Sequence, residues 1–207
     1  MPHPQSPAKT AVRDRLLTAR RRRPLAEVGA AARDLAGVVV GCAEVRRAAS
    51  VAAYVAVAGE PGTGPLLDAL VTAGKRVILP VLLPDGDLDW AVYTGPAGLA
   101  AARLGLLEPV GPRLGVDAVA AADAVLVPGL AVSAAGMRLG RGGGSYDRAL
   151  GRVPAGTFTC VLLYDDEVGV DVPVEPHDRA VGWAATPSGV RRLGWGPGMS
   201  PRPAGDS

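Results

Sequence analysis

A chain of 207 residues, 48% apolar and 20% charged, is the size of one globular domain, and with aromatics at only 4% its core must be built mainly from Val, Leu and Ala. Its 22 Lys and Arg against 20 Asp and Glu leave a net charge of +2, which excludes nucleic-acid binding driven by bulk positive charge. Cys42 and Cys160 stand outside any C-x-x-C pair, which excludes a zinc framework and fits a reducing cytoplasm, and no apolar run reaches the ~18–20 residues of a membrane span.

The first nine residues, MPHPQSPAK, lack the apolar core of a signal peptide. Residues 8–23 read as a helix in which Lys9 and Arg13 share a face, with Val12, Leu16 and Leu17 as its apolar positions. It ends in Arg20-Arg21-Arg22-Arg23 before Pro24, a cationic cluster at a helix C-terminus that reads as solvated. A second helix is predicted over 25–47, from Val28, Ala31, Leu35 and Val38, with a weak point at Gly41. Residues 50–57 form an apolar strand, Glu60 to Gly64 a turn, 65–73 a helix and 76–80 a strand. Asp85-Gly86 marks a hairpin into 88–93, where Trp90 and Tyr93 read as core more readily than as the wall of a ring pocket. Further strands are expected at 123–127, 158–164 and 181–185. Residues 194–207 are rich in Gly, Pro and Ser and read as a disordered tail after one domain over 1–193.

Apolar strands alternating with helices predict a single three-layer α/β/α domain with a mostly parallel sheet. In such folds ligands bind beyond the carboxyl ends of the strands. The first strand leads to Glu60, and the strand ending at Val127 leads to a glycine-rich segment. The strand ending at Tyr164 leads to Asp165, Asp166 and Glu167, and later to Asp178. These groups are expected to meet at one edge, with Asp165, Asp166, Glu167 and Asp171 mostly in solvent.

The glycine-rich segment, PGLAVSAAGMRLGRGGGSYDRAL over 128–150, is the most informative stretch. It carries six glycines and three arginines (Arg138, Arg141 and Arg148) between a strand and the start of a helix. Glycines let backbone amides approach a ligand, and guanidinium forks suit phosphate oxygens. The pattern describes an anion-binding loop, best suited to a nucleotide phosphate. It is not the Walker A motif, because no Gly-Lys-Ser/Thr closes it, and Ser145 stands where a dinucleotide fingerprint needs its last glycine.

The run Gly136-x-Arg138-Leu139-Gly140-Arg141-Gly142-Gly143-Gly144-x-Tyr146-Asp147-Arg148 resembles the signature of the 5-formyltetrahydrofolate cyclo-ligase family. Lys9-x-x-x-Arg13, Glu60 and Pro173-x-Glu175-x-His177-Asp178 support it in the right order, and the likeness covers about residues 8–193. The chain departs from the family at Ser145, where a tyrosine is usual. The resemblance implies an ATP- and Mg2+-dependent enzyme that converts 5-formyltetrahydrofolate to 5,10-methenyltetrahydrofolate, a cytoplasmic monomer without nucleic-acid or membrane partners.

It also implies residue roles. Lys9, Arg13, Arg138, Leu139, Gly140, Arg141, Gly142, Gly143, Gly144, Ser145 and Tyr146 would hold ATP. Val55, Glu60, Arg141, Gly142, Gly143, Gly144 and Ser145 would hold the folate, with Arg141 and Tyr146 at the chemistry. Asp147 and Asp178 would hold Mg2+, which favours oxygen ligands. Read without the resemblance, Lys9 and Arg13 are an ordinary basic pair on a helix surface and Glu60 is equally a turn acid. Other readings of the chain are a phosphate-binding α/β enzyme such as a sugar-phosphate isomerase, and a non-catalytic relative that binds RNA.

Overall fold

The computed structural model describes residues 7–194. Of the composition-predicted tail, only Gly194 falls among them, with its amide donating to the Ala134 carbonyl at 2.8 Å; the rest lies outside the described residues.

Helix α1 spans Pro7–Arg21, α2 Leu25–Gly41, α3 Ala43–Arg47, α4 Gly64–Thr72 and α5 Ser145–Leu150. The helix predicted over 25–47 is therefore two. The chain breaks at Cys42, whose extended backbone (φ −64°, ψ 136°) follows Gly41, a poor helix former.

A seven-stranded sheet runs in the order β11-β10-β9-β6-β1-β2-β3. Its strands are β1 Ser50–Ala52, β2 Arg76–Leu82, β3 Leu88–Val92, β6 Ala124–Pro128, β9 Phe158–Leu162, β10 Trp183–Thr186 and β11 Gly189–Arg192. The five central strands are parallel. β3 turns back on β2 through the Asp85-Gly86 turn, where Gly86 takes φ 83°, and β11 closes the other edge antiparallel to β10. The expected mostly parallel α/β sheet is thus present, with β11 added beyond the last predicted strand. Two short hairpins were not foreseen: β4 (Leu99–Ala101) with β5 (Leu107–Pro109), and β7 (Ala131–Val132) with β8 (Arg138–Leu139).

Each face of the sheet carries its own core. On one, Leu35 and Val39 of α2 and Leu66, Leu67 and Leu70 of α4 pack on Val51, Val77, Leu79, Leu126, Cys160 and Leu162. On the other, Ala149 and Leu150 of α5 and Val119, from a short 3-10 turn, cover Ala52, Ile78, Val125, Val127 and Val161. Adjacent residues such as Val51 and Ala52 face opposite layers and both are fully buried, which is why the parallel strands read as unbroken apolar runs. α1 lies outside this sandwich. Its Leu16 packs with Leu130, Ala131, Leu139 and Val172, so the helix rests on the segments that leave the sheet's carboxyl edge.

Candidate functional site

The first wall of the site is the chain leaving β1. An unbroken strand to 57 was expected, but the ladder ends at Ala52. The reason is Thr63, whose buried hydroxyl donates to the Tyr54 carbonyl and accepts from the Ala56 amide, both at 2.8 Å, satisfying backbone groups that a neighbouring strand would otherwise pair. The turn that follows locks itself: the Glu60 amide donates to the Val57 carbonyl, and Glu60 Oε2 accepts the Val57 amide at 3.0 Å. Glu60 is 6% exposed, and its other oxygen, Oε1, accepts from Arg141 Nε at 3.1 Å. The turn acid is therefore a buried carboxylate tied to the glycine loop.

The second wall follows β6. Not all six glycines of this segment belong to the loop. A side chain on Gly129 would meet Val161 at 2.7 Å, and one on Gly136, with φ 86°, would meet the Val181 carbonyl at 2.4 Å. These two serve packing and the β7–β8 turn. Gly140 to Gly144 form the loop proper, with Gly142 and Gly144 at φ 101° and 68°, where only glycine is comfortable. A side chain on Gly140 would strike the Arg138 guanidinium at 2.6 Å. That guanidinium is buried, donating to Asp147 Oδ1 at 3.0 Å and to the Pro128 carbonyl at 3.3 Å, with its carbon 6.0 Å from the centre of the Tyr146 ring. Tyr146 is half-buried. Burial first, then the Glu60 charge, pushes its phenol ionisation far up, so it is a neutral hydroxyl.

The third wall is α1. Lys9, Arg13, Leu16 and Arg20 are its buried residues, one stripe that faces the protein. Arg13 Nε donates to the Gly140 carbonyl at 2.9 Å. Lys9 Nζ donates to Asp178 Oδ2 at 2.6 Å, to Asp178 Oδ1 at 2.8 Å and to Glu175 Oε2 at 2.8 Å. Asp178 Oδ2 also accepts the Glu175 amide at 2.7 Å, while the Arg179 amide donates to Asp147 Oδ1 at 3.2 Å. The two candidate metal ligands therefore lie on adjoining segments, Asp147 bonded to the amide that follows Asp178, while the cluster of close ligand atoms around Asp178 does not include Asp147. Their oxygens suit Mg2+, and Glu175 and His177 lie beside Asp178 with ligand atoms within 4.8 Å of one another.

The three walls enclose one cavity of about 780 Å3, lined by Lys9, Arg13, Val55, Glu60, Arg138, Leu139, Gly140, Arg141, Gly142, Gly143, Gly144, Ser145, Tyr146, Asp147 and Asp178. Every candidate site residue read from the sequence thus borders the same space, although the Leu139 side chain is turned into the core beneath α1. Sequence reasoning missed Tyr54 and the apolar lining supplied by Leu82, Leu88, Leu106 and Leu107. Trp90 and Tyr93 are core residues, 1% and 5% exposed.

A model of the 5-formyltetrahydrofolate cyclo-ligase family matches residues 5–187. The chain is 41% identical to the 5-formyltetrahydrofolate cyclo-ligase of Mycolicibacterium smegmatis over 87% of its own length and 94% of that protein. The chain belongs to the 5-formyltetrahydrofolate cyclo-ligase family. Its counterpart in Escherichia coli, also named 5-formyltetrahydrofolate cyclo-ligase, is 35% identical over 68% of this chain and 79% of that protein. The solution structure of 5,10-methenyltetrahydrofolate synthetase from Aquifex aeolicus superposes with a TM-score of 0.78 at 28% identity, covering 94% of this chain and 97% of that one.

Two sequence expectations for this cyclo-ligase relative need correction. In the Arg20–Arg23 cluster only Arg21 and Arg22 are exposed as expected, while Arg20 is buried and Arg23 half-buried, and Glu167 is not a solvated acid. Arg20 is 2% exposed and its guanidinium grips the equally buried Glu167 with two 2.7 Å bonds, while also donating to the Gly129 carbonyl at 2.6 Å. Arg23 lies 4.1 Å over the Tyr164 ring and bonds Glu27 and Asp166. Arg20 continues the stripe of Lys9 and Arg13, so the helical phase carries it inward. Among the described residues, no helix is long and apolar enough to cross a membrane.

Proposed function

We propose that the protein is an ATP- and Mg2+-dependent cytoplasmic cyclo-ligase that converts 5-formyltetrahydrofolate to 5,10-methenyltetrahydrofolate with release of ADP and phosphate. The reading rests on one observation beyond family membership. Four segments far apart in sequence bring cations, a glycine loop and a buried carboxylate to one cavity of about 780 Å3. Lys9, Arg13, Arg138 and Arg141 supply charge for phosphates, and Glu60 offers two acceptor oxygens that complement the N–H-rich edge of a pterin.

In the proposed reaction the formyl oxygen attacks the γ-phosphorus of ATP and ADP leaves. N10 then attacks the activated carbon, the ring closes with loss of the N10 proton, and the former formyl oxygen departs with phosphate. The protein's part is to position the two substrates and to stabilise charge. Arg141, anchored through Nε on Glu60 and through Nη2 on the Ala58 carbonyl, ties the folate-side carboxylate to the phosphate-side loop. Asp147 and Asp178 would hold Mg2+, which when bound neutralises phosphate charge. No side chain need act as a nucleophile, because the attacking atoms belong to the substrate.

The decisive assay is the absorbance of methenyltetrahydrofolate formed from 5-formyltetrahydrofolate. Formation with ATP and none without it is expected. Formation independent of ATP, or no formation with it, contradicts the reading.

A further inference from the structure

The cations on the cavity wall differ in what already holds them. Lys9, Arg138 and Arg141 are each paired with a carboxylate. Arg148, on α5, is placed otherwise. Its side chain is 43% exposed and borders the cavity. Nη2 donates to the Gly86 carbonyl in the β2–β3 turn, and Nη1 lies 3.4 Å from the point where a side chain on Gly144 would begin. The guanidinium thus spans from the glycine loop to the hairpin. The acid beside it, Asp87, is engaged by Arg152, which grips both carboxylate oxygens at 3.0 and 2.5 Å. Arg148 Nε comes no closer to Asp87 than 3.9 Å, beyond hydrogen-bond range, and among the described residues Nη1 has no hydrogen-bond partner.

The wall follows the carboxyl edge of the sheet in strand order, β9-β6-β1-β2-β3. Asp178 comes after β9, Arg138 holds the Pro128 carbonyl at the end of β6, and Glu60 comes after β1. β2 and β3 are next. They pair at Leu82 and Leu88, and both side chains line the cavity beside the turn that Arg148 holds. Glu108, the acid on this part of the wall, turns Oε1 to the Leu82 amide at 2.9 Å. The row therefore reads phosphate-side cations, buried carboxylate, leucines, half-exposed cation. A folate held by its pterin at Glu60 has the matching order. An aryl ring follows the pterin, and the molecule's two carboxylates lie at its other end, on the glutamate. A phosphate has its cations at the β6 and β9 end of the row.

We propose that Arg148 is a substrate-binding residue whose guanidinium takes a carboxylate of the folate's glutamate. The assignment rests on the cyclo-ligase reading of the cavity. One of the five guanidinium N–H groups is bonded to Gly86, so donors remain for a carboxylate. The bond to Gly86 and the neighbouring Gly144 hold the fork in place before substrate arrives, which lowers the entropy lost on binding. Arg148 touches neither the formyl group nor the phosphates in this arrangement. It selects for a charged tail.

The test compares wild type with Arg148→Met and Arg148→Lys, using calorimetric binding of 5-formyltetrahydrofolate and of its diamide, in which both glutamate carboxylates are amides. Wild type should prefer the natural compound about five-fold, the effect of a half-exposed charge pair. The preference should shrink as salt is raised. Arg148→Met should bind both compounds as wild type binds the diamide, Arg148→Lys should keep part of the preference, and both variants should keep wild-type ATP affinity. A merely structural role in the β2–β3 turn would weaken both compounds equally and leave the preference intact, which overturns the assignment. A loss of ATP affinity without loss of the preference would give Arg148 to the phosphates and also overturn it. If wild type binds no 5-formyltetrahydrofolate, the functional reading falls and takes this assignment with it. If wild type is active but binds both compounds alike, only Arg148 loses its role.

Discussion

Lys9 and Asp178, 169 residues apart, are joined by bonds of 2.6 and 2.8 Å, with only 4% and 8% of their side chains exposed. The cation proposed for phosphate thus neutralises the carboxylate proposed for Mg2+ in the ligand-free protein. Burial alone would raise the Asp178 carboxyl, but its bond to Lys9, the Glu175 amide and the Lys9 and His177 charges outweigh it and hold the carboxyl below its ordinary value. Nucleotide and metal arriving together would exchange this internal pair for two external ones, so neither carboxylate nor ammonium need be left buried and bare.

Lys9→Met should therefore do two things. Nucleotide affinity should fall at least ten-fold, and the free protein should lose about 3–5 kcal/mol of stability, because Glu175 and Asp178 are left facing each other. A depressed carboxyl contributes stability that is present above its unfolded value and lost as pH falls through its folded value. Without Lys9 that contribution disappears, so the gap between the two melting temperatures should narrow below about pH 4. Mg2+ alone should restore part of the variant's melting temperature and leave wild type nearly unmoved. Calorimetric titration of nucleotide checks the first outcome, and thermal melts across pH, with and without Mg2+, check the other three.

The metal assignment has a separate test. Asp147→Asn and Asp178→Asn are nearly isosteric, and each should raise the Mg2+ concentration needed for half-maximal rate. Folate affinity without nucleotide should change much less, since the proposed partners of the metal are phosphates and waters. Each variant also loosens a cation, Arg138 in Asp147→Asn and Lys9 in Asp178→Asn, so the shift is read in the Mg2+ dependence and not in nucleotide affinity. An unchanged Mg2+ dependence in both would leave Asp147 to Arg138 and Asp178 to Lys9, as structural pairs.

Arg141 and Arg22 separate loop from surface. Arg141 reaches over the cavity to Glu60, whereas Arg22 is exposed on the last turn beyond α1. A charge-assisted bond is worth roughly 1.5–3 kcal/mol, so Arg141→Ala should cost ten-fold or more in kcat/KM and Arg22→Ala almost nothing. Steady-state kinetics at fixed Mg2+ would expose equal, small effects and so refute the loop's role.

What the sequence made legible follows from the kind of signal each residue carries. Glu60 and the glycine loop stand directly after apolar strands, and the carboxyl-edge rule alone brings them together. Lys9 and Arg13 were ambiguous because charge at helical spacing describes a solvated face as readily as a buried one; only the loops they hold, Gly140 and Asp178, decide. Arg20 escaped notice inside a run of four arginines, though it lies on the same stripe, seven residues after Arg13. Tyr54 was hidden inside an apolar run whose strand is cut short by Thr63, nine residues away. The two-residue strands β7 and β8 are too short to show any period, and Gly136 between them looked like part of the anion loop.

The buried Arg20–Glu167 pair makes the last prediction, one of stability rather than activity. It fastens α1, and with it Lys9 and Arg13, to the chain after β9. Arg20→Met removes one partner and leaves Glu167 uncompensated at 2% exposure. The expected cost is about 3–5 kcal/mol in urea unfolding. Glu167→Met should cost a comparable amount, since it strands the guanidinium against the Gly129 carbonyl alone. The double variant should be more stable than the sum of the two losses allows, by at least 1 kcal/mol, because two apolar chains leave no charge bare. Residual activity of the folded fraction should show a raised KM for ATP with the folate KM little changed, since α1 carries phosphate-side residues only. Additive losses in the double variant would mean that Arg20 and Glu167 stabilise the fold independently, and that α1 is held by its apolar contacts at Leu16.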